Sequence, residues 1–307
     1  MHIAVCVATF RRPKLLQKLL NGIADLRFVK TAIPEVTVIV VDNDASETAR
    51  MVCSSATLPW RLKYVVEPKR GIAEARNCAL KEIGDADFVA FIDDDEVPAN
   101  EWLDELLSTQ AKFGADVVAG PIRPSFTGDV PEWVRISGFF GSPARLTGEP
   151  LAFCSTNNTL VMRPVFDHIG GFDDRFQLTG GEDVQFFTRV RLAGFKIVWS
   201  AEAIVSETMS GDRTTLGALL RRAYNGGNCY SRVESSLDDR IFVRLVRFFK
   251  GFARILQGLL NAGASLLAGR AAVVRALLVT CGGVGMIAGL AGLRYESYKT
   301  VSGDRVD

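Results

Sequence analysis

Short apolar runs alternate with amphipathic stretches throughout the first 120 residues, and few architectures accept that order. IAVCVAT, VTVIVVDND, LKYVVE, FVAFIDD and DVVAGPI have strand length and carry the β-branched residues that suit a pleated sheet. Between them, PKLLQKLLNGIADL, with Pro13 near its start, AEARNCALKEI and WLDELLSTQAKF repeat their apolar residues at helical spacing. Strands that are apolar along most of their length and joined through helices predict an α/β fold, a mostly parallel sheet flanked by helices. With 307 residues, 48% of them hydrophobic, the chain can bury a core for one large domain or a domain plus an appendage.

In an open sheet of this kind the ligand crevice lies beyond the carboxyl ends of the strands. Thr9 with Arg11, Asp42 with Asn43, and Asp93 to Asp95 all fall at such ends, so three segments converge on one edge. The stretch FVAFIDDDEVPANEWL delivers four acids in a row, Asp93 to Glu96, which repel one another. Either they open the next helix, where they complement its dipole, or a cation sits among them. Asp93 and Asp95, one residue apart in extended geometry, point the same way and suit Mg²⁺ or Mn²⁺ shared with substrate phosphates. Asp94 and Glu96 are left as supporting or capping groups.

GGEDVQFF places Glu182 and Asp183 after two glycines at a helix start, where a carboxylate either caps the helix or approaches a substrate as general base. RGIAEARN adds Arg70, Arg76 and Asn77 near another helix start, a setting that favours anions or simply solvates a charged face. Neither GxGxxG nor GxxxxGK[ST] occurs, so a dinucleotide site or a P-loop is not supported. The six cysteines form no CxxC pair and only two histidines accompany them, which argues for reduced thiols rather than zinc or disulfides. HIAVCVATF is too short for a signal-peptide core and reads as a buried first strand.

From Gly120 to about Pro150 the chain is rich in Gly, Pro and Ser and reads as a loop-heavy insertion on the substrate side. FCSTNNTLVMR predicts a returning strand, and the segment from HIGGFDD to KIVW a turn, a loop, a helix and a final strand. Beyond it the charge changes. Residues 240–307 hold ten Lys/Arg against three Asp/Glu, a balance of +7 that leaves the first 239 residues at −6. In RIFVRLVRFFKGFARILQ the basic residues Arg240, Arg244, Arg247, Lys250 and Arg254 line one helical face and aromatics fill most of the rest. That pattern fits a membrane interface or packing on the protein's own core. ALLVTCGGVGMIAGLAGL is uncharged for 18 residues, at the lower edge of a spanning length, and reads as an inserted, re-entrant or spanning segment.

Taken together, VATFRRP, VDNDA, KRGIAEARN, FIDDD, NNTLVMR, GGFDDRF, GGEDVQFFTRVRLAGFKIVW and RRAYNGG, in order from about residue 1 to 230, resemble the family 2 glycosyltransferases of the GT-A fold. GPIRP, PEWV and SAEAIVSE resemble, more narrowly, bacterial exopolysaccharide (succinoglycan) glucosyltransferases of the ExoM type. The resemblance implies a Rossmann-like GT-A catalytic domain, placed at residues 1–235, with the helical membrane-associated tail at 236–307. It implies that Thr9 and Asp42 contact the donor nucleoside and that Arg76 and Asn77 lie by the nucleotide and sugar. Arg11, Asn43, Arg70 and Asp94 join that donor-binding set. The resemblance further implies that Asp93 and Asp95 hold Mg²⁺ or Mn²⁺ on the diphosphate, and that of the pair Glu182 and Asp183 the aspartate is the base. Many relatives carry a histidine as a further metal ligand where VSETMSGDR offers Glu207; either Glu207 substitutes or the third ligand is missing. Arg213 and Arg222 would stabilise charge on the departing diphosphate.

The implied enzyme is an inverting hexosyltransferase that moves a sugar, glucose or a related hexose, from a nucleotide-sugar donor, UDP-linked, to a saccharide acceptor. That acceptor would be lipid-linked through a polyprenyl diphosphate, in exopolysaccharide or surface-glycan synthesis at the cytoplasmic face of the inner membrane, with no nucleic acid partner. Two alternatives stand beside it. A sugar nucleotidyltransferase would show a Gly-rich basic first loop, which VATFRRP lacks, and a non-catalytic nucleotide-sugar-binding protein would have no need of Asp93, Asp95 and Asp183.

Overall fold

The computed structural model describes residues 1–265 and 267–296. The first half alternates strand and helix: β1 (His2–Thr9), α1 (Pro13–Ala24), β2 (Glu35–Asp42), α2 (Arg50–Ser55), β3 (Arg61–Val66), α3 (Ile72–Lys81) and β4 (Phe88–Ile92). Then follow β5 (Glu96–Pro98), α4 (Trp102–Phe113), β6 (Val117–Ala119), β7 (Ile122–Phe126), α5 (Glu132–Arg135), β8 (Asn158–Met162), α6 (Arg163–Ile169), α7 (Glu182–Leu192), β9 (Ile197–Trp199) and β10 (Val205–Met209). Three helices close the described chain: α8 (Leu216–Leu237), α9 (Ile241–Ser265) and α10 (Arg270–Leu290).

Seven strands form the main sheet in the order β3-β2-β1-β4-β8-β6-β9, parallel except for β8, the returning strand. The strands read as unbroken apolar runs because both faces are covered. On one face Val5, Val7, Val38 and Val40 pack against Leu16, Leu19 and Leu20 of α1 and Leu103 and Leu106 of α4. On the other, Ala4, Cys6, Ile39 and Phe91 meet α3 and an aromatic cluster in which Phe172 and Phe186 approach to 4.7 Å. The parallel register sets Thr9 opposite Asp42, and Ile92 pairs with Asn158, so the ends of β1, β2 and β4 share one edge of the sheet.

A second, three-stranded sheet, β5-β10-β7, stands over that edge. The sequence predicts a final strand at KIVW and a loop-heavy stretch from Gly120; β10 and β7 add two strands that this reading lacks. The two run parallel, pairing Glu207 with Pro124, while β5 pairs antiparallel, setting Glu96 opposite Glu207. α5 and the loop around it form a small third core with Met209, Leu219 and Val274. The insertion therefore rests on the C-terminal helices.

Those helices are not a free appendage. α10 lies between α8 and α9, and its glycines mark backbone contacts: a Cβ on Gly285 would sit 2.1 Å from the Tyr224 carbonyl oxygen, and one on Gly289 2.5 Å from that of Asn228. Three of the five basic residues of this periodic stretch, Arg240 just before α9 and Arg244 and Arg247 on it, are less free than their periodicity suggests. Arg240 pairs with Asp238, Arg244 with Asp239 and Arg247 with Glu234. What α9 exposes is a stripe of Phe242, Leu245, Phe249, Phe252, Leu256 and Leu260. α10 is the one helix among the described residues long and apolar enough to cross a membrane. Residues 297–307, the end of the expected tail, lie outside the described residues.

Candidate active site

The acidic turn after β4 is tied to four distant segments. Asp94 is buried and accepts hydrogen bonds from Thr9 Oγ1 at 2.7 Å and Arg12 Nη1 at 3.0 Å. Burial outweighs these contacts and pushes its carboxyl up to about 7. Arg12 also reaches Asp95 at 3.4 Å, and Arg213 donates to Asp95 at 3.0 Å and to Glu207 at 2.7 Å. Glu96 is 1% exposed; it accepts from the Asp93 backbone N–H at 3.0 Å and from Asn157 Nδ2 at 3.1 Å. Burial, then the neighbouring Asp93, raises its proton affinity well above the usual range. None of these acids caps α4, because β5 and residues 99–101 intervene before Trp102. The helix-opening alternative thus fails on geometry.

Across the crevice the α7 start supplies the other acids. Gly181 holds φ +94 and packs so closely that a Cβ would lie 3.3 Å from Cys229 and Val233, so only glycine brings the chain into this turn without strain. Cys229 Sγ donates to the carbonyl oxygens of Thr179, at 3.1 Å, and Gly180, at 3.3 Å. Glu182, 2% exposed, is ion-paired with Arg76, whose other nitrogen reaches Asp93 at 3.3 Å. Its second oxygen is buried with no hydrogen-bond partner among the described residues, and burial raises the carboxyl to about 7. Asp183 accepts from the Val184 N–H at 2.7 Å, and burial raises its proton affinity as well.

Arg76, Asp93, Glu182 and Asp183 share the wall of a cavity of about 320 Å³, together with Asn157 and Tyr230. Asp93 is the open acid of the turn, with 40% of its side chain exposed. Burial raises its proton affinity first; Arg76 opposes this, and the charges of Asp95 and Asp183 add to it. A wall of hard oxygen donors that repel one another is chemically suited to a divalent cation. Among the described residues, no three His, Cys, Asp or Glu side chains gather closely enough to hold one unaided, so ligand oxygens would have to complete the shell. Glu207 is engaged by Arg213 rather than standing free beside the Asp93–Asp95 pair.

The remaining expected residues divide. Asp42 is fully buried, held by the Ala49 N–H and the Tyr64 hydroxyl, with Oδ1 unpartnered among the described residues. Arg11, at φ +56, pairs with Asp44, and both Arg11 and Arg70 lie over the Phe10 ring at 5.1 and 4.6 Å. Arg222 lies over Phe140 at 5.5 Å. Asn43 is consumed in bracing the chain after β3: its amide donates to the Glu67 and Lys69 carbonyls and accepts from the Gly71 N–H. Asn77 faces away from the cavity and straps the Phe172 backbone through both N–H and carbonyl. Arg12, Asn157, Cys229 and Tyr230 carry parts of the site that sequence reasoning left without roles.

The Glycosyl transferase family 2 model matches residues 4–170. Succinoglycan biosynthesis protein ExoM of Rhizobium meliloti (strain 1021) is 35% identical over 240 residues, 76% of this chain and 75% of that protein. Glycosyltransferase AglE of Haloferax volcanii is 23% identical over 246 residues, 80% of this chain and 77% of that protein. Among solved structures, the mannosyltransferase PcManGT from Pyrobaculum calidifontis, in complex with GDP-Man and Mn²⁺, superposes with a TM-score of 0.65 at 17% identity, covering 94% of this chain and 86% of that one. Residues 1–349 of TarS from S. aureus, in complex with UDP-GlcNAc, give 0.54 at 17% identity, covering 95% and 92%. These two likenesses show the GT-A architecture.

Proposed function

Since the chain belongs to glycosyl transferase family 2, we propose that it is an inverting hexosyltransferase that uses Asp183 as its base and a nucleotide-sugar donor, UDP-linked, held across the β1, β2 and β4 ends. The observation that carries this reading is the single cavity whose wall brings Asp183, Asp93 and Arg76 together. Asp183, with its raised proton affinity, would accept the proton of an acceptor hydroxyl as that oxygen attacks the anomeric carbon from the face opposite the nucleotide. Arg76 keeps Glu182 and Asp93 in place, so Asp183 is not the only acid deciding the local charge. Asp42 Oδ1, buried and without a hydrogen-bond partner among the described residues, would accept from the donor nucleobase once the chain over it moves aside, with Thr9 opposite it on β1.

Asp93 and Asp95 would hold Mg²⁺ or Mn²⁺, which supplies charge to the diphosphate leaving group when bound. Arg213, between Asp95 and Glu207, would meet the same leaving group. In our reading residues 1–235 are the catalytic domain, and 236–307 associate with the cytoplasmic face of the membrane through the apolar stripe of α9. Glucose or a related hexose and a lipid-linked saccharide in surface-glycan synthesis fit the likeness to the succinoglycan protein.

The test is a screen of nucleotide sugars for Mn²⁺-dependent hydrolysis and thermal shift, followed by Asp183→Asn. Turnover should fall at least about a hundredfold while nucleotide binding stays near wild type. Turnover close to wild type would remove Asp183 as the base.

A further inference from the structure

A second cavity, of about 370 Å³, lies among α8, α9 and α10 and shares Gly226 and Tyr230 with the cavity that holds Asp183. Its wall is mostly apolar, with Phe139, Leu278, Val279 and Met286, apart from Tyr230 and two guanidinium groups, Arg254 and Arg275. No acid lines it. Arg254 has no hydrogen-bond or ion-pair partner among the described residues. Arg275 donates to the Ser137 carbonyl at 2.9 Å and lies 5.8 Å from the Phe139 ring, without a carboxylate. Arg240, Arg244 and Arg247 have acidic partners, whereas Lys250 and Arg254, farther along α9, have no ion-pair partner among the described residues.

Two unneutralised cations on an apolar groove select an anion that carries an apolar chain. A free nucleotide sugar lacks the chain, and a neutral glycan lacks the charge. We propose that this groove binds the phosphate or diphosphate of a lipid-linked saccharide acceptor, with Arg254 and Arg275 on the phosphate, the first lipid carbons on the apolar wall, and the saccharide passing Gly226 and Tyr230 toward Asp183. The inference rests on the transferase reading and assigns its acceptor a place.

Farnesyl diphosphate in mild detergent is the probe, titrated calorimetrically into the full chain saturated with UDP and Mn²⁺ so that the donor site is filled. Wild type should bind it at least about tenfold more tightly than pyrophosphate or farnesol, and R254Q/R275Q should weaken it by about tenfold or more. Val279→Trp, which fills the groove and leaves both arginines, should weaken it similarly, and both variants should hydrolyse donor at the wild-type rate and melt near wild type. Farnesyl diphosphate binding unchanged in R254Q/R275Q and in Val279→Trp, or pyrophosphate binding as tight as farnesyl diphosphate, would overturn the groove while leaving the transferase reading intact. Failure of the wild type to bind UDP or to hydrolyse any nucleotide sugar would instead overturn the transferase reading.

Discussion

Gly285→Ala is the sharpest probe of how the C-terminal helices sit. In α10 the added methyl would lie 2.1 Å from the Tyr224 carbonyl oxygen, 2.9 Å from its carbon and 3.1 Å from the Asn228 nitrogen, all backbone atoms of α8 that no side-chain rotation can move. Carbon–oxygen contacts settle at about 3.3 Å, so the helices must part by roughly 1 Å. The same parting loosens Gly227 against the Gly282 carbonyl and Gly289 against that of Asn228, which lie along one seam. Overpacking of this kind costs about 1–3 kcal/mol, and a rigid obstacle places it near the top. Alanine returns about 1 kcal/mol in helix propensity, leaving a net loss of about 2 kcal/mol. For a chain of 307 residues that lowers Tm by about 3 °C.

Gly263→Ala in α9 is the internal control. Among the described residues nothing lies within 4 Å of its added methyl, so only the propensity gain remains, and Tm should hold or rise. Both variants would be melted in the same mild detergent by circular dichroism, with guanidinium titration for the free-energy difference. If Gly285→Ala were as stable as Gly263→Ala, α10 would not pack on α8 through its glycines and the docked arrangement would be refuted.

Replacing Asp93 and Asp95 together by alanine should abolish Mn²⁺-dependent enhancement of UDP binding, read by titration with and without EDTA; unchanged enhancement would remove both residues from the metal site. The raised carboxyls of Asp94 and Glu182, each at about 7, mean that the folded protein holds protons that the unfolded chain has released between about pH 4 and 7. Their stabilising share is therefore full below about pH 4 and is lost as pH rises through 7. Stability should decline from pH 5 to 8, and Asp94→Asn should flatten the decline; an identical slope in that variant would contradict the assignment. Phe249→Glu with Phe252→Glu, on the exposed stripe of α9, should release the protein from membranes in a sedimentation assay without lowering donor hydrolysis. Removing residues 240–307 would be a poorer test, because it also strips α10 from α8.

The main sheet was legible because its strands are buried on both faces and therefore read as unbroken apolar runs. The second sheet was not. β5 and its partners are short, and β10 reads VSETM, with no apolar alternation to announce it; it exists because β5 and β7 flank it. The site was legible where chemistry clusters along the chain, as in the acidic turn and in Glu182 and Asp183. It was not legible where the partner is remote: Arg12 meets Asp94 from 82 residues away, and nothing in FRRPK distinguishes it from Arg11, which turns outward to Asp44. Asn77 was a different kind of failure. Its amide is spent on the Phe172 backbone, 95 residues away, a contact that nothing in AEARNCAL announces.

α8 joins the two halves of the molecule through adjacent residues that face opposite ways. Cys229 donates its thiol proton to the turn that delivers Glu182 and Asp183, while Asn228 donates to the Leu293 carbonyl at 2.8 Å and offers its own carbonyl to the close approach of Gly289. Two glycines in sequence, Gly226 and Gly227, sit just before them, one open to the shared boundary of the two cavities and the other against Gly282. A displacement of α10 from α8 would therefore act at the turn that carries Asp183, the proposed base, as well as at the groove. The acidic turn, by contrast, is braced by Arg12 and Arg213 from other elements and is joined to Glu182 through Arg76. Under the proposed function, loosening the seam should thus impair use of an acceptor before it impairs binding of a nucleotide.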